Sequence, residues 1–270
     1  MSRTGAGAGA RLAAAFARAT AEGRPALIPY ITAGDPDLES TADLVRALAR
    51  GGADVVELGV PFSDPIADGP VNQRAAERAL RNGVSLRSVL AVAARLRREG
   101  TPPIVLFTYY NPIHRMGLEA FARAAAEAGV DGVLVTDLPP EEAGDLQAHL
   151  EPAGVALIFL LAPTSTPERV ETACRRGRGF LYFISRTGVT GARDELPREL
   201  EEQVGAVRAR SRLPVAVGFG ISSREQVRAV SRFADGAVVG SALVGLVERA
   251  GPAPDRAARV EAFCRELSGR

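Results

Sequence analysis

Three acids crowd one stretch of the chain: Glu57-Leu58-Gly59-Val60-Pro61-Phe62-Ser63-Asp64-Pro65-Ile66-Ala67-Asp68-Gly69-Pro70. Glu57 opens it, Asp68 stands near its end, and Asp64 lies between. Proline fixes φ and removes an amide donor, so Pro61 and Pro65 make this a stiffened loop rather than helix or sheet. The run follows a short apolar strand, Ala53 to Val56, and α/β proteins place chemistry on loops that leave the C-terminal ends of strands. Acids bracketing so apolar a run suit general acid/base work. The plainer alternative is a surface loop with solvated carboxylates.

What the chain lacks narrows the chemistry. It contains no lysine, every basic side chain apart from two histidines being arginine. A Schiff-base lysine, an anchor for pyridoxal phosphate in this chain and a P-loop lysine are thereby excluded. His114 and His149 are the only histidines, too few for a catalytic zinc site of the usual kind, and both read as surface residues. No metal is expected. Carboxylates, hydroxyls, tyrosines and backbone dipoles remain. The formal net charge of +1 gives no electrostatic case for nucleic acid or a membrane surface. Apolar runs such as Val155 to Ala162 fall far short of a membrane span. Cys174 and Cys264, with no motif spacing, read as free thiols in a reducing cytoplasm.

Positioning these groups falls to a regular alternation of elements. Residues 1–10, rich in glycine and alanine, read as a disordered tail, and Arg11 to Ala21 as an extra N-terminal helix. Strands are expected at Ala26–Thr32, Ala53–Val56, Ile104–Thr108, Gly132–Thr136, Val155–Leu160, Phe180–Ile184, Val215–Val217 and Gly236–Val239. Helical patterns separate them, and Ser222-x-x-Glu225 reads as a capping box. Pro29 is awkward inside the first strand and suggests a bulge. Three strand starts share a theme: Gly52-Ala53-Asp54-Val55, Gly129-Val130-Asp131-Gly132 and Ala234-Asp235-Gly236-Ala237. The strands are near-continuous Val, Ile and Leu, as when both faces are buried. About eight strand–helix pairs over residues 11–270 is the arithmetic of a single (β/α)8 TIM barrel, with a doubly wound open sheet as the alternative.

A barrel brings its βα loops to one face. Three glycine-rich connections would meet there: Ser185-Arg186-Thr187-Gly188-Val189-Thr190-Gly191, Gly218-Phe219-Gly220-Ile221-Ser222 and Gly240-Ser241. Glycines that admit an anion, beside a helix N-terminus after strands seven and eight, suit a phosphate; singly they could equally make tight turns. Tyr182 could point into the barrel mouth near Glu57 or be an ordinary core tyrosine. Tyr30, Phe107 and Phe219 could line an apolar pocket, or each be a core aromatic.

The run from Glu57 to Pro70 closely resembles the signature of the tryptophan synthase alpha chain family. The resemblance extends from about Pro25 to Glu248 and includes Gly34-Asp35-Pro36 and the three glycine-rich connections. It implies a (β/α)8 barrel that cleaves indole-3-glycerol phosphate into indole and glyceraldehyde 3-phosphate. It implies a beta-chain partner that carries the pyridoxal phosphate, in an alpha2beta2 heterotetramer, with no cofactor in this chain. By resemblance Glu57 is the general acid/base, Asp68 stabilises positive charge on the indole ring nitrogen, and Tyr182 is the active-site tyrosine. Thr190, Gly191, Gly220, Gly240 and Ser241 match positions around substrate and phosphate. Residues 185–195 match a mobile lid, and Asp64 and the Tyr109-Tyr110-Asn111-Pro112 turn match regions that face the partner. Tyr30 stands where many members carry phenylalanine.

The residues reach the same reaction class by a second route. A retro-aldol cleavage usually runs through a lysine Schiff base or a zinc enolate. Without either, the carbon–carbon bond can still break if the leaving ring carbon is protonated first. That needs an acid over the ring carbon, a base on the hydroxyl and a carboxylate near the ring nitrogen, a minimum that Glu57 and Asp68 supply. The alternatives are another phosphate-binding barrel enzyme, or a silent barrel retained to activate a beta chain.

Overall fold

The computed structural model describes residues 7–184, 198–218 and 220–270. Eight parallel strands close into a barrel in chain order: β1 (Ala26–Thr32), β2 (Val56–Gly59), β3 (Ile104–Thr108), β4 (Gly132–Val135), β5 (Ala156–Leu161), β6 (Leu181–Ile184), β7 (Val215–Gly218) and β8 (Gly236–Val239). β1 pairs with both β2 and β8, so the open-sheet alternative is excluded.

Successive side chains of a strand point to opposite faces, and the barrel uses both. Leu27, Ile31, Val56, Leu58, Val133 and Val217 pack outward in the large core beneath the helices. Ile28, Val55, Val105, Leu134, Ile158 and Ala216 fill the interior. Helix α1 (Ala10–Ala21) joins that interior layer through Leu12, Ala15, Phe16 and Ala19. The Phe16 and Phe180 rings lie 5.3 Å apart. Strand-start glycines make room for this helix: a Cβ on Gly236 would come within 2.9 Å of the Phe16 ring.

The recurrent aspartates at strand starts have a physical task. The Asp54 carboxylate accepts from the Leu27 amide of β1, Asp131 from Ile104 of β3, and Asp235 from Val215 of β7. Each acid preceding one strand thus holds the start of the neighbouring strand, and each takes an arginine: Arg24, Arg11 and Arg208 respectively. Asp54 is fully buried. Asp54→Ala leaves the Leu27 amide without its acceptor and removes the buried partner of the Arg24 guanidinium, which keeps only Glu22 and the Pro25 carbonyl. It is expected to cost about 2–4 kcal/mol in urea unfolding, since buried donors lose their partners. A loss under about 0.5 kcal/mol, the size of an ordinary surface change, would remove this role.

The structure adjusts several expectations. β2 begins at Val56 and runs to Gly59, so Glu57 lies inside the strand; pairing of Leu58 with Ile31 and Leu106 carries the ladder on towards Pro61. Pro29 causes no bulge. It ends the segment of β1 in register with β8, and the register with β2 begins at Tyr30, so its missing amide falls where pairing passes between neighbours. The capping box belongs to Ser223 and Gln226, one residue later than expected. Tyr110–Met116 forms a helix rather than a turn, and exposed His114 lies within it. Helix α1 already includes Ala10.

Candidate active site

Continuing each inward series by two residues leads to the barrel mouth. Val55 is followed by Glu57, Ile28 by Tyr30, Val105 by Phe107 and Phe180 by Tyr182. The register sets Tyr30 directly beside Glu57, with Val105 on the other side. Tyr30 and Phe107 meet edge to face, with ring centroids 5.3 Å apart. They form a small apolar cluster with Val71, Ala75 and Val244.

Glu57 is 1% exposed and neither carboxylate oxygen has a hydrogen-bond partner. Burial without compensation disfavours the charged form, so its pKa is pushed up to about 8. At neutral pH it is a carboxylic acid with a proton to give. Tyr182 and Tyr30 are buried too, and both phenols are held above their ordinary value. Burial is the main cause for each, and the nearby charges of Glu57 and Asp68 add to it.

Asp68 arrives from the loop after β2. The Tyr109 hydroxyl donates to Asp68 Oδ2 at 2.7 Å and accepts from the Ala67 amide at 3.1 Å. Gln73 Nε2 donates to the Asp68 carbonyl at 2.9 Å. Burial raises the Asp68 pKa, while the hydrogen bond from Tyr109 and the nearby Asn72 amide oppose that rise. The two acids therefore sit in different settings: Glu57 bare, Asp68 supported by donors. Environments that drive two carboxyls apart can assign them acid and charged roles.

Two strand-end glycines leave room for the tyrosine hydroxyls. A Cβ on Gly59 would strike the Tyr30 hydroxyl, and one on Gly218 the Tyr182 hydroxyl. On the phosphate side, Gly240 is the N-cap of the helix Ser241–Ala250, and the first amides of a helix have no partner within it. Gly220 is exposed, with a φ of 87° that favours glycine. Thr190, Gly191, Phe219 and the expected lid at 185–195 lie outside the described residues. Asp64 and Asn111 are both exposed. Among the described residues no group of three or more His, Cys, Asp or Glu is placed to hold a metal ion.

Comparison with known proteins points the same way. The family model described as "Tryptophan synthase alpha chain" matches residues 16–269. The chain belongs to the tryptophan synthase alpha chain family. A tryptophan synthase alpha chain from Burkholderia pseudomallei (strain 1106a) is 52% identical over 259 residues, covering 95% of each chain. One from Burkholderia thailandensis is 54% identical over 243 residues, covering 90% of each. The crystal structure of tryptophan synthase subunit alpha from Legionella pneumophila is 38% identical, with a TM-score of 0.89 over 96% of this chain and 97% of that one. Members of the tryptophan synthase alpha chain family are lyases that cleave indole-3-glycerol phosphate to indole and glyceraldehyde 3-phosphate in tryptophan biosynthesis. Membership implies a beta-chain partner, to which pyridoxal phosphate belongs.

In this member of the tryptophan synthase alpha chain family, sequence reasoning missed Tyr109 as a site residue, placing it only in a partner-facing turn. Its signal was its position immediately after β3, but the bond to Asp68 joins residues 41 apart. Tyr109→Phe is expected to make Asp68 titrate at higher pH, because a donor that favours the carboxylate is gone. A hydrogen bond to a charged group contributes about 1.5–3 kcal/mol, which bounds the effect. Carboxyl carbon NMR of Asp68 checks it; an unchanged titration would mean that Tyr109 does not support the charge.

Proposed function

We propose that this chain cleaves indole-3-glycerol phosphate through Glu57 as general acid/base, with Asp68 as the charge that faces the ring nitrogen. The observation that carries this reading is a buried Glu57 with neither carboxylate oxygen partnered, a setting that favours its protonated form. Glu57 gives its proton to ring carbon C3, leaving positive charge on the ring nitrogen, which the Asp68 carboxylate stabilises. Glu57, now charged, takes the proton from the glycerol hydroxyl. The carbon–carbon bond breaks, its electrons return to the ring, and indole and the aldehyde separate. One proton is given and one taken, so the acid is regenerated. Tyr182, Tyr30, Phe107 and Phe219 line the ring pocket; Thr190, Gly191, Gly220, Gly240 and Ser241 hold the substrate's phosphate end.

The same reading seats the beta chain, in an alpha2beta2 assembly, on the face that carries Asp64 and Asn111. Ile66, between Asp64 and Asp68, is 85% exposed and is the exposed large hydrophobic among the described residues. An apolar side chain in water on that loop suits a partner. Docking there would bear directly on the segment that holds Asp68. Residues 11–270 act as one domain in the cytoplasm, where the free thiols Cys174 and Cys264 fit a reducing environment. No cofactor is assigned to this chain.

The test is indole release from indole-3-glycerol phosphate by the purified chain, with and without a beta chain. Slow release alone and faster release with the partner are expected. A folded chain that releases none in either condition favours the silent-barrel alternative.

A further inference from the structure

Among the described residues, three buried side-chain oxygens have no hydrogen-bond partner: both of Glu57, and Oδ1 of Asn72. A buried polar atom left unpaired is costly, and such atoms ask for an explanation, often a ligand. Proton transfer accounts for Glu57. Nothing above accounts for Asn72.

Asn72 lies in the first turn of the helix Pro70–Arg81, four residues beyond Asp68. Its side-chain amide lies close enough to the Asp68 carboxyl to favour the charged form. An ionised carboxylate only accepts, so Asn72 must present its NH2 group to it. The carbonyl oxygen is then the free end, an acceptor without a donor. Its neighbour Val71 packs in the apolar cluster with Tyr30 and Phe107, so this turn borders the ring pocket. Resting on the function proposed above, the substrate brings three donors: two glycerol hydroxyls, of which the one next to the ring goes to Glu57, and the ring N–H, which goes to Asp68. Asn72 is the neighbour of Asp68.

We propose that Asn72 is a substrate-positioning residue whose Oδ1 accepts, together with Asp68, from the ring N–H of the indole substrate. The shared acceptor fixes the ring's rotation in its pocket and so the placement of C3 under Glu57.

The experiment compares two uncleavable ligands by calorimetry: 3-(indol-3-yl)propyl phosphate and its benzothiophene counterpart, with sulfur in place of N–H. Wild type is expected to prefer the N–H ligand. Asn72→Leu, which keeps the bulk without the oxygen, should cut that preference about tenfold, the value of one hydrogen bond near 1.4 kcal/mol. The loss should fall on the N–H ligand. An unchanged preference, or an equal loss for both ligands, would overturn the proposal, the latter assigning Asn72 a structural role. Asn72→Ser, which shortens the side chain without overpacking, gives the same readout if the leucine variant does not fold. Wild type that fails to cleave indole-3-glycerol phosphate sinks the underlying function. Wild type that cleaves it, with preference unmoved by either variant, sinks the Asn72 assignment alone.

Discussion

Glu57→Gln is expected to lower kcat by about 10²–10⁴-fold, the usual contribution of a positioned general acid/base, with substrate affinity nearly kept. The amide matches the carboxylic acid in shape but cannot pass a proton to C3. Because the acid form of Glu57 starts the reaction, wild-type kcat/KM should fall as pH rises through about 8, where Glu57 loses its proton. Steady-state kinetics on the variant and across pH check both. Turnover close to wild type would remove Glu57 from the reaction.

The same substitution has a stability consequence of predictable sign. Glu57 has a folded pKa of about 8 against an unfolded value of 4.5. Between those values the folded chain binds the extra proton, so stability falls as pH rises through that window. At 1.36 kcal/mol per unit the cost at pH 7 is about 3 kcal/mol, and glutamine does not incur it. Asp68 and Asp131, also raised by burial, are present in both proteins, so the difference in pH slope isolates Glu57. Urea unfolding at pH 5.5 and pH 8 should show wild type losing stability relative to the variant. Parallel slopes would mean that Glu57 ionises normally and lacks its proton at pH 7. A site that holds an uncompensated acid trades stability for function.

Much of this is legible in the sequence. The alternation of apolar strands with helical patterns dictates a barrel, and the barrel brings Glu57, Tyr182 and the glycine-rich strand ends to one mouth. What escaped depends on contacts that local patterns do not encode. Ser222 and Ser223 are each followed three residues later by a residue able to complete a capping box. The structure chooses Ser223 because Gln226 Oε1 can accept from both serine amides, at 2.8 and 3.2 Å. The sequence places Glu57 at the very end of its strand because the prolines that follow read as loop; pairing with both neighbours carries β2 two residues past it. Tyr109 and Asn72 became visible as supports of Asp68 only when three segments were seen together.

Asp68→Asn is expected to lower kcat by about 10²–10³-fold, as when a preorganised charge-stabilising group is removed, with a smaller change in KM. The variant keeps its shape: the asparagine oxygen can still accept from the Tyr109 hydroxyl, so the loop stays held while the charge is lost. An effect on KM alone would make Asp68 a binding group only. Two further readouts separate charge from geometry. Wild-type activity needs Asp68 ionised and Glu57 protonated, so it should fall on the acid side as Asp68 protonates. In Asp68→Asn that acid limb disappears while the limb near pH 8, set by Glu57, remains. Tyr109→Phe acts through the same carboxylate, so adding it to Asp68→Asn should cost little more, whereas on wild type it costs its full effect. Additive losses would place Tyr109 and Asp68 in separate roles and leave the charge on the ring nitrogen without its proposed partner.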